Sequence, residues 1–228
     1  MRSFDEAAVC TVSPACIAKQ AMPGEEKRAW RSLWSEDKTF WDLGEAHPSL
    51  PPLLERARIQ LGFELRGARV FVPGCGRGHE AAYLARQGAR VEAVDYAPEA
   101  IEAARQRYPD VPGLTFEVAD AFHAPPAAQG RFDAVVDRAM LCAIESSDRP
   151  RYLRACAERL RPGGLLVSVA FLEVRLPSGP PFPISADELS SHTCSWLDPV
   201  IMEPVLATTM TDYIHRELLV IQRKRSSS

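Results

Sequence analysis

The sequence predicts a doubly wound α/β domain on a mostly parallel, seven-stranded sheet that ends in an antiparallel hairpin. Three observations predict it. Short Val-rich runs alternate with helical-period segments between residues 69 and 172. A glycine-rich junction, Gly74-Cys75-Gly76-Arg77-Gly78, follows the first of those runs. The last two apolar runs, "VIMEPVLAT" and "DYIHRELLVIQRK", follow one another with no helix between them, so they pair as a hairpin at the sheet edge.

The elements follow in order. Residues 1–24 read as a flexible N-terminal arm, and residues 25–228 as a single domain with no internal repeat. "EEKRAWRSLWSE" places Trp30 and Trp34 four apart, on one face of a helix. "TFWDLGEAHPSLPPLLERA" turns at Gly44 and enters a second helix around 51–61. "RVFV" is a buried strand, "GHEAAYLARQG" a helix closed by Gly88, and "RVEAVD" the next strand. "APEAIEAARQRY" carries Pro98 in its first turn, where proline's missing N–H costs nothing. "LTFEVAD" and "RFDAVVD" are the third and fourth strands. "DRPRYLRACAERLRPGG" reads as a helix stopped by Pro162-Gly163-Gly164, before the fifth strand "LLVSVAFL". "GPPFPISADELSS" is a loop leading into a short helix.

Hydrophobic residues at 46% and charged residues at 25% are the balance of a soluble globular protein. A net charge of −3 provides no broad positive field for nucleic acid or an anionic membrane, so neither is expected as a partner. No run approaches the roughly 20 apolar residues of a membrane helix. The N-terminus, with Asp5 and Glu6 and no long apolar core, is a poor signal peptide. Six cysteines without a CxxC pair, several in apolar runs, favour a reducing, cytoplasmic setting. No histidine cluster has metal-ligand spacing, so no metal is expected. His47, His79, His123, His192 and His215 are scattered and receive no chemistry.

The glycine loop carries the functional signal. Gly74, Gly76 and Gly78 leave the backbone open to close approach at a helix N-terminus with unpaired N–H groups. Asp95, ending the second strand, can accept hydrogen bonds from both hydroxyls of a ribose. A dinucleotide fingerprint requires G-x-G-x-x-G, whereas here His79 stands in the final glycine's place. G-x-G-x-G followed by a strand-end acid suits S-adenosylmethionine instead. Asp120 ends the third strand, where its carboxylate or the next N–H can meet an adenine edge and Phe122 can pack on the ring. The alternative for Asp120 is a cap or turn residue.

These stretches resemble the thiopurine S-methyltransferase family of class I, Rossmann-like S-adenosylmethionine-dependent methyltransferases, which also holds the plant thiol and halide methyltransferases. "WRSLWSEDKTFWDLGEAHPSL" is similar to the family's aromatic N-terminal segment, and "WDLG" to its thiol/halide branch. "VFVPGCGRGHEAAYLARQGARVEAVDYAPEAI" is similar to its glycine loop. In "FDAVVDRAMLCAI", "DRA" resembles the thiopurine branch and "LCAI" the thiol/halide branch. "GPPFPISADEL" resembles the loop beside the acceptor pocket.

The resemblance implies site roles. Trp30, Trp34 and Trp41 line the cofactor pocket. Gly74, Cys75, Gly76 and Gly78, with Asp95 and Tyr96, hold the methionine and ribose portions. Asp120, Ala121 and Phe122 border the adenine. Asp137 and Arg138 bind the cofactor, and Arg138, at the border of cofactor and acceptor, is the candidate catalytic residue. Trp30 and Trp34 have the alternative of a buried helix face, Arg138 that of a partner for Asp137 or Asp133, and Cys142 reads as core.

A sulfonium methyl is already electrophilic, so the enzyme must align the reactants and exclude water. A thiol of pKa about 8.5 is partly ionised at neutral pH and needs no strong base. The expected activity is therefore S-methylation of a small thiol, sulfide or thiopurine-like acceptor by a monomer. Halide or thiocyanate methylation, O- or N-methylation of a small metabolite, and an adenosyl-binding module without turnover are the alternatives.

Overall fold

A computed structural model describes residues 31, 33–36, 39, 41–175, 180–211 and 214–226, with backbone only at 209–211. The expected N-terminal arm and Trp30 lie outside the described residues.

In chain order the elements are α1 (Leu50–Leu61), β1 (Arg69–Pro73), α2 (His79–Arg86), β2 (Arg90–Asp95), α3 (Pro98–Arg107), β3 (Leu114–Val118), β4 (Phe132–Arg138), α4 (Met140–Ala143), α5 (Arg149–Arg159), β5 (Leu160–Val174), α6 (Ala186–Thr193), β6 (Leu197–Thr211) and β7 (Ile214–Lys224). They build one seven-stranded sheet in the order β3-β2-β1-β4-β5-β7-β6. β1 to β5 pair in parallel, and β7 runs antiparallel to both β5 and β6. The doubly wound class and the terminal hairpin are both as the sequence predicts.

Residue alternation puts a core on each face. Val70, Val72, Ala134, Val136 and Val167 join the side chains of α1, α2 and α3. Phe71, Val135, Leu166 and Ala170 meet α4, α5 and α6 on the other face. Strands buried on both faces explain the continuous apolar runs in the sequence. The chain order reverses at β1 and β4, which opens a crevice at their carboxyl ends.

One expectation needs correction. Helix α5 ends at Arg159, and Pro162-Gly163-Gly164 lies within β5 instead of capping the helix. The register moves from Phe132↔Leu160 to Ala134↔Leu165, so the intervening residues bulge out of the ladder. At Gly164 an added Cβ would lie 2.9 Å from the Arg161 carbonyl oxygen, a place only glycine can occupy. The motif that reads as a helix stop is the bulge.

Candidate functional site

β1 delivers the chain into the turn Gly74–Gly78, with positive φ at Gly74 (56°), Gly76 (51°) and Gly78 (81°). The bend brings the loop against the tip of β2. The Gly76 N–H donates to Asp95 Oδ2 (3.1 Å) and the Ala97 N–H to Asp95 Oδ1 (3.0 Å). The Cys75 N–H closes the junction onto the Val94 carbonyl at 2.9 Å. Burial raises the Asp95 carboxyl above its usual range, against the lowering pull of the neighbouring N–H groups. Asp95 is therefore fixed in orientation, and each carboxylate oxygen has a further lone pair for a ligand.

Gly78 does a different job from Gly74 and Gly76. An added Cβ at Gly78 would lie 2.6 Å from the Phe116 ring, so this residue seats α2 against β3 and does not line the cleft. An added Cβ at Gly74 would meet Met140 Sδ at 2.6 Å, and one at Gly76 would touch the Trp34 ring at 3.5 Å.

The described residues between Trp34 and Gly44 form a strap over this loop. Trp34 and Trp41 meet edge to face, with centroids 5.9 Å apart, and the Arg77 guanidinium lies 5.5 Å from the Trp34 ring centre. Asp42 holds the strap down. It accepts from Arg77 Nε (2.7 Å), His79 Nε2 (2.8 Å) and the Gly44 N–H (2.9 Å). Burial alone would raise its pKa, but these donors and charges hold the carboxyl down at about 2. The Tyr108 hydroxyl meets the far nitrogen of His79 at 2.7 Å, and Arg107 donates to the Gly44 carbonyl at 3.1 Å. Farther along, His47 is fully buried and pairs with Glu217 at 2.9 Å, while its N–H donates to Glu80.

The turn after β4 forms another wall. Ala139 has φ +64°, a conformation that a Cβ disfavours, and its N–H is held by the Val169 carbonyl at 3.2 Å. Arg138 lines the cleft beside it. Its Nη1 donates to the Trp41 carbonyl (3.0 Å), its guanidinium lies 5.9 Å from the Phe171 ring centre, and its buried Nε has no partner among the described residues. Asp133 instead pairs with Arg161 at 2.6 Å. Asp137 points beneath the cleft, not into it: it accepts from the Met140 and Leu141 N–H groups and from the Tyr152 hydroxyl at 2.7 Å. Burial pushes its carboxyl up to about 6.

Past β3, Asp120 Oδ1 accepts the Phe122 N–H at 2.9 Å, so the turn role weighed from the sequence is present. Asp120, Ala121 and Phe122 also line a small cleft, together with Gly74, Tyr96 and Met140. Phe122 is mostly buried and packs on Tyr152, with centroids 5.6 Å apart. The larger cavity next door is bounded by Trp34, Trp41, Gly76, Arg138, Phe171 and Pro181. Both cavities share Gly74, Asp95, Tyr96 and Met140.

Among the sequence candidates, Trp34, Trp41, Gly74, Cys75, Gly76, Asp95, Tyr96, Asp120, Ala121, Phe122 and Arg138 converge on these adjoining cavities. Gly78 and Asp137 stand behind the walls. Asp42, Arg77, His79 and Met140 were missed, although they line the larger cavity. "WDLG" and "GRGH" held the signal for the first three, but nothing local joins them.

The free cysteines among the described residues, Cys75, Cys142 and Cys156, offer no nucleophile. Burial raises the Cys75 thiol well above its ordinary value and pushes Cys142 and Cys156 up to about 12. No group of three or more His, Cys, Asp or Glu among the described residues could hold a metal ion, and no described helix is long and apolar enough to cross a membrane. The chemistry of the paired cavities does fit an adenosyl amino acid. A fixed carboxylate stands between a bare backbone loop and an apolar slot, with aromatic cover over the loop.

Residues 25–198 match the family model described as thiopurine S-methyltransferase. The chain is 30% identical over 177 residues to thiocyanate methyltransferase 1 of Brassica oleracea, covering 76% of this chain and 75% of that one. It is 29% identical over 189 residues to a thiopurine S-methyltransferase of Legionella pneumophila, covering 74% and 82%. Among solved structures, a 1,6-didemethyltoxoflavin-N1-methyltransferase of Burkholderia thailandensis with bound S-adenosylhomocysteine shares the fold at TM-score 0.66 and 23% identity, over 92% of this chain and 93% of that one.

Proposed function

The chain belongs to the thiopurine S-methyltransferase family, and on that premise we propose that it moves a methyl group from S-adenosylmethionine to a small sulfur acceptor: a thiol, a sulfide or a thiopurine-like compound. The observation that carries the reading is the convergence of Gly74, Gly76, Asp95 and Arg138 on one cleft beneath Trp34 and Trp41. When bound, the cofactor supplies a methyl carbon that is already electrophilic.

The chain's own residues bind, orient and enclose. Asp95 takes the ribose hydroxyls, and Tyr96 lies beside it. The Gly74–Gly76 backbone receives the amino-acid portion. Ala121 and Phe122, with the Asp120 turn, border the adenine. Trp34 and Trp41 cover the loop and keep water out. Arg138 holds an anionic acceptor, for which its buried, unpartnered Nε is suited. No strong base is needed, and the carboxylate–imidazole pair nearest the loop, Asp42 and His79, is engaged in latching the strap. Apolar walls at Phe171, Pro181 and Ile214 favour a small, soft sulfur nucleophile. The reading includes a cytoplasmic monomer, and the net charge of −3 supports the absence of a nucleic-acid partner.

The test is release of S-adenosylhomocysteine from purified protein given S-adenosylmethionine and sulfide, an alkyl thiol, an aryl thiol, a thiopurine or iodide. Turnover of sulfur acceptors is expected. Turnover of iodide alone would replace the proposal with halide methylation. Silence across the panel with intact cofactor binding would leave an O/N-methyltransferase or a binding module.

A further inference from the structure

Helix α5 lies behind the cleft and lines neither cavity, yet beside its buried Leu153, Ala155 and Ala157 it carries a buried polar stripe. Arg149, Tyr152, Cys156 and Arg159 recur at helical spacing and are all buried. Buried arginines are rare and need a reason. Here three of these side chains reach three separate walls of the paired cavities.

Arg149 spends its guanidinium on the proline loop that follows β5. Its Nη1 donates to the Pro183 carbonyl (3.0 Å), Nη2 to the Phe182 carbonyl (3.1 Å) and Nε to the Leu141 carbonyl (3.2 Å), while Glu188 balances the charge at 2.7 Å. That loop carries Pro180 and Pro181 to the larger cavity. Arg159, at the other end, donates from Nη1 to the Ala121 carbonyl (3.1 Å) and from Nη2 to the His123 carbonyl, with its guanidinium 4.3 Å from the Phe71 ring centre. Ala121 and Phe122 line the small cavity. Between them, the Tyr152 hydroxyl fixes Asp137, which holds the turn bearing Met140, one of the residues both cavities share.

We propose that Arg149 and Arg159 are positioning residues that set the acceptor wall and the adenine wall separately, each from its own end of α5. The assignment of the two walls rests on the function proposed above. A fork of planar donors can clamp two carbonyls at once, and a lysine's single ammonium cannot hold the same pair in fixed geometry. The two walls lie at opposite ends of the helix and share no partner, so their effects are separable.

The experiment compares Arg159→Met, Arg159→Lys, Arg149→Met and Arg149→Lys in the full chain. S-adenosylhomocysteine binding by calorimetry needs no acceptor. Both Arg159 variants are expected to weaken it roughly tenfold, and both Arg149 variants to leave it within about twofold. Hydrogen exchange at the Phe182 and Ile184 amides, which donate to the Cys142 and Phe171 carbonyls, is expected to quicken only in the Arg149 variants. With thiophenol or hydrosulfide as the acceptor probe, the Arg149 variants are expected to raise the acceptor KM without changing cofactor affinity. Should a Met variant fail to fold, the Lys variant, which keeps the charge, carries the same comparison. Equal loss of S-adenosylhomocysteine affinity at both positions, or none at Arg159, overturns the proposal. If the wild-type protein turns over no sulfur acceptor, the functional reading fails, and binding and exchange still decide the positioning roles.

Discussion

Asp42 Oδ1 and His79 Nε2 lie 2.8 Å apart, joining residues separated by 37 positions in sequence. An ionised carboxylate only accepts, so His79 is the donor and its other nitrogen faces the Tyr108 hydroxyl. The contact fastens the aromatic strap to the helix that begins at the glycine loop.

Asp42→Ala should release that strap. The expected result is S-adenosylhomocysteine affinity weakened roughly tenfold, read by titration calorimetry. The carboxyl is held at about 2 in the folded chain, below its unfolded value of about 3.9. Its stabilisation is thus present above the unfolded value and lost as pH falls through about 2. Melting temperatures from pH 5 to pH 2 should fall less steeply in the variant than in the wild type.

Asp137 should show the opposite slope. Its folded pKa, raised by burial to about 6, exceeds the unfolded value, so its contribution is complete below about pH 3.9 and lost as pH rises through about 6. Asp137→Asn should flatten the decline in stability across that window, measured as denaturant midpoints at several pH values. An unchanged slope would remove Asp137 as its source.

Asp95→Ala removes the acceptor that both Gly76 and Ala97 use. Cofactor affinity should fall about tenfold or more. Unchanged affinity in an equilibrium binding assay would sink the ribose assignment.

Arg138→Ala should lower turnover of sulfur acceptors at saturating cofactor by roughly ten- to a hundredfold, and Arg138→Lys should recover part of it by restoring the charge. Steady-state rates with two acceptors test this, and equal rates for every accepted substrate would end Arg138's catalytic role.

Gly78→Ala should act on stability through packing. Its Cβ would meet the Phe116 ring at 2.6 Å from a backbone with φ +81°, so a loss of about 2 kcal/mol or more is expected in chemical denaturation. Adding Phe116→Leu should recover the steric part only.

The fold was readable because its signals are local. Continuous burial in β1, β4 and β5 and the glycine junction each lie within one short stretch. The glycine-loop side of the cleft was readable for the same reason, since Gly74 and Gly76 follow the end of β1 and Asp95 ends the next strand. Other features depend on meetings between distant segments. Nothing near Asp42 announces His79, and Arg149 and Arg159 read as ordinary charged positions in a basic helix until burial is known. Pro162-Gly163-Gly164 misled because the same residues that stop a helix also permit a bulge, and the Phe132 and Asp133 carbonyls that select between the two belong to another strand.

The place of β7 has a consequence for the order in which the chain can close. The final strand of the sequence is an interior strand of the sheet, paired along its length with β5 on one side and β6 on the other. β6 emerges first and has no neighbour until β7 arrives. A chain halted before Ile214 would therefore lose two strands at once, bare the edge of β5, and lack the Ile214 wall of the larger cavity. Completion of the larger cavity thus waits on β7, and removing that strand would take away part of the pocket wall as well as an interior ladder of the sheet.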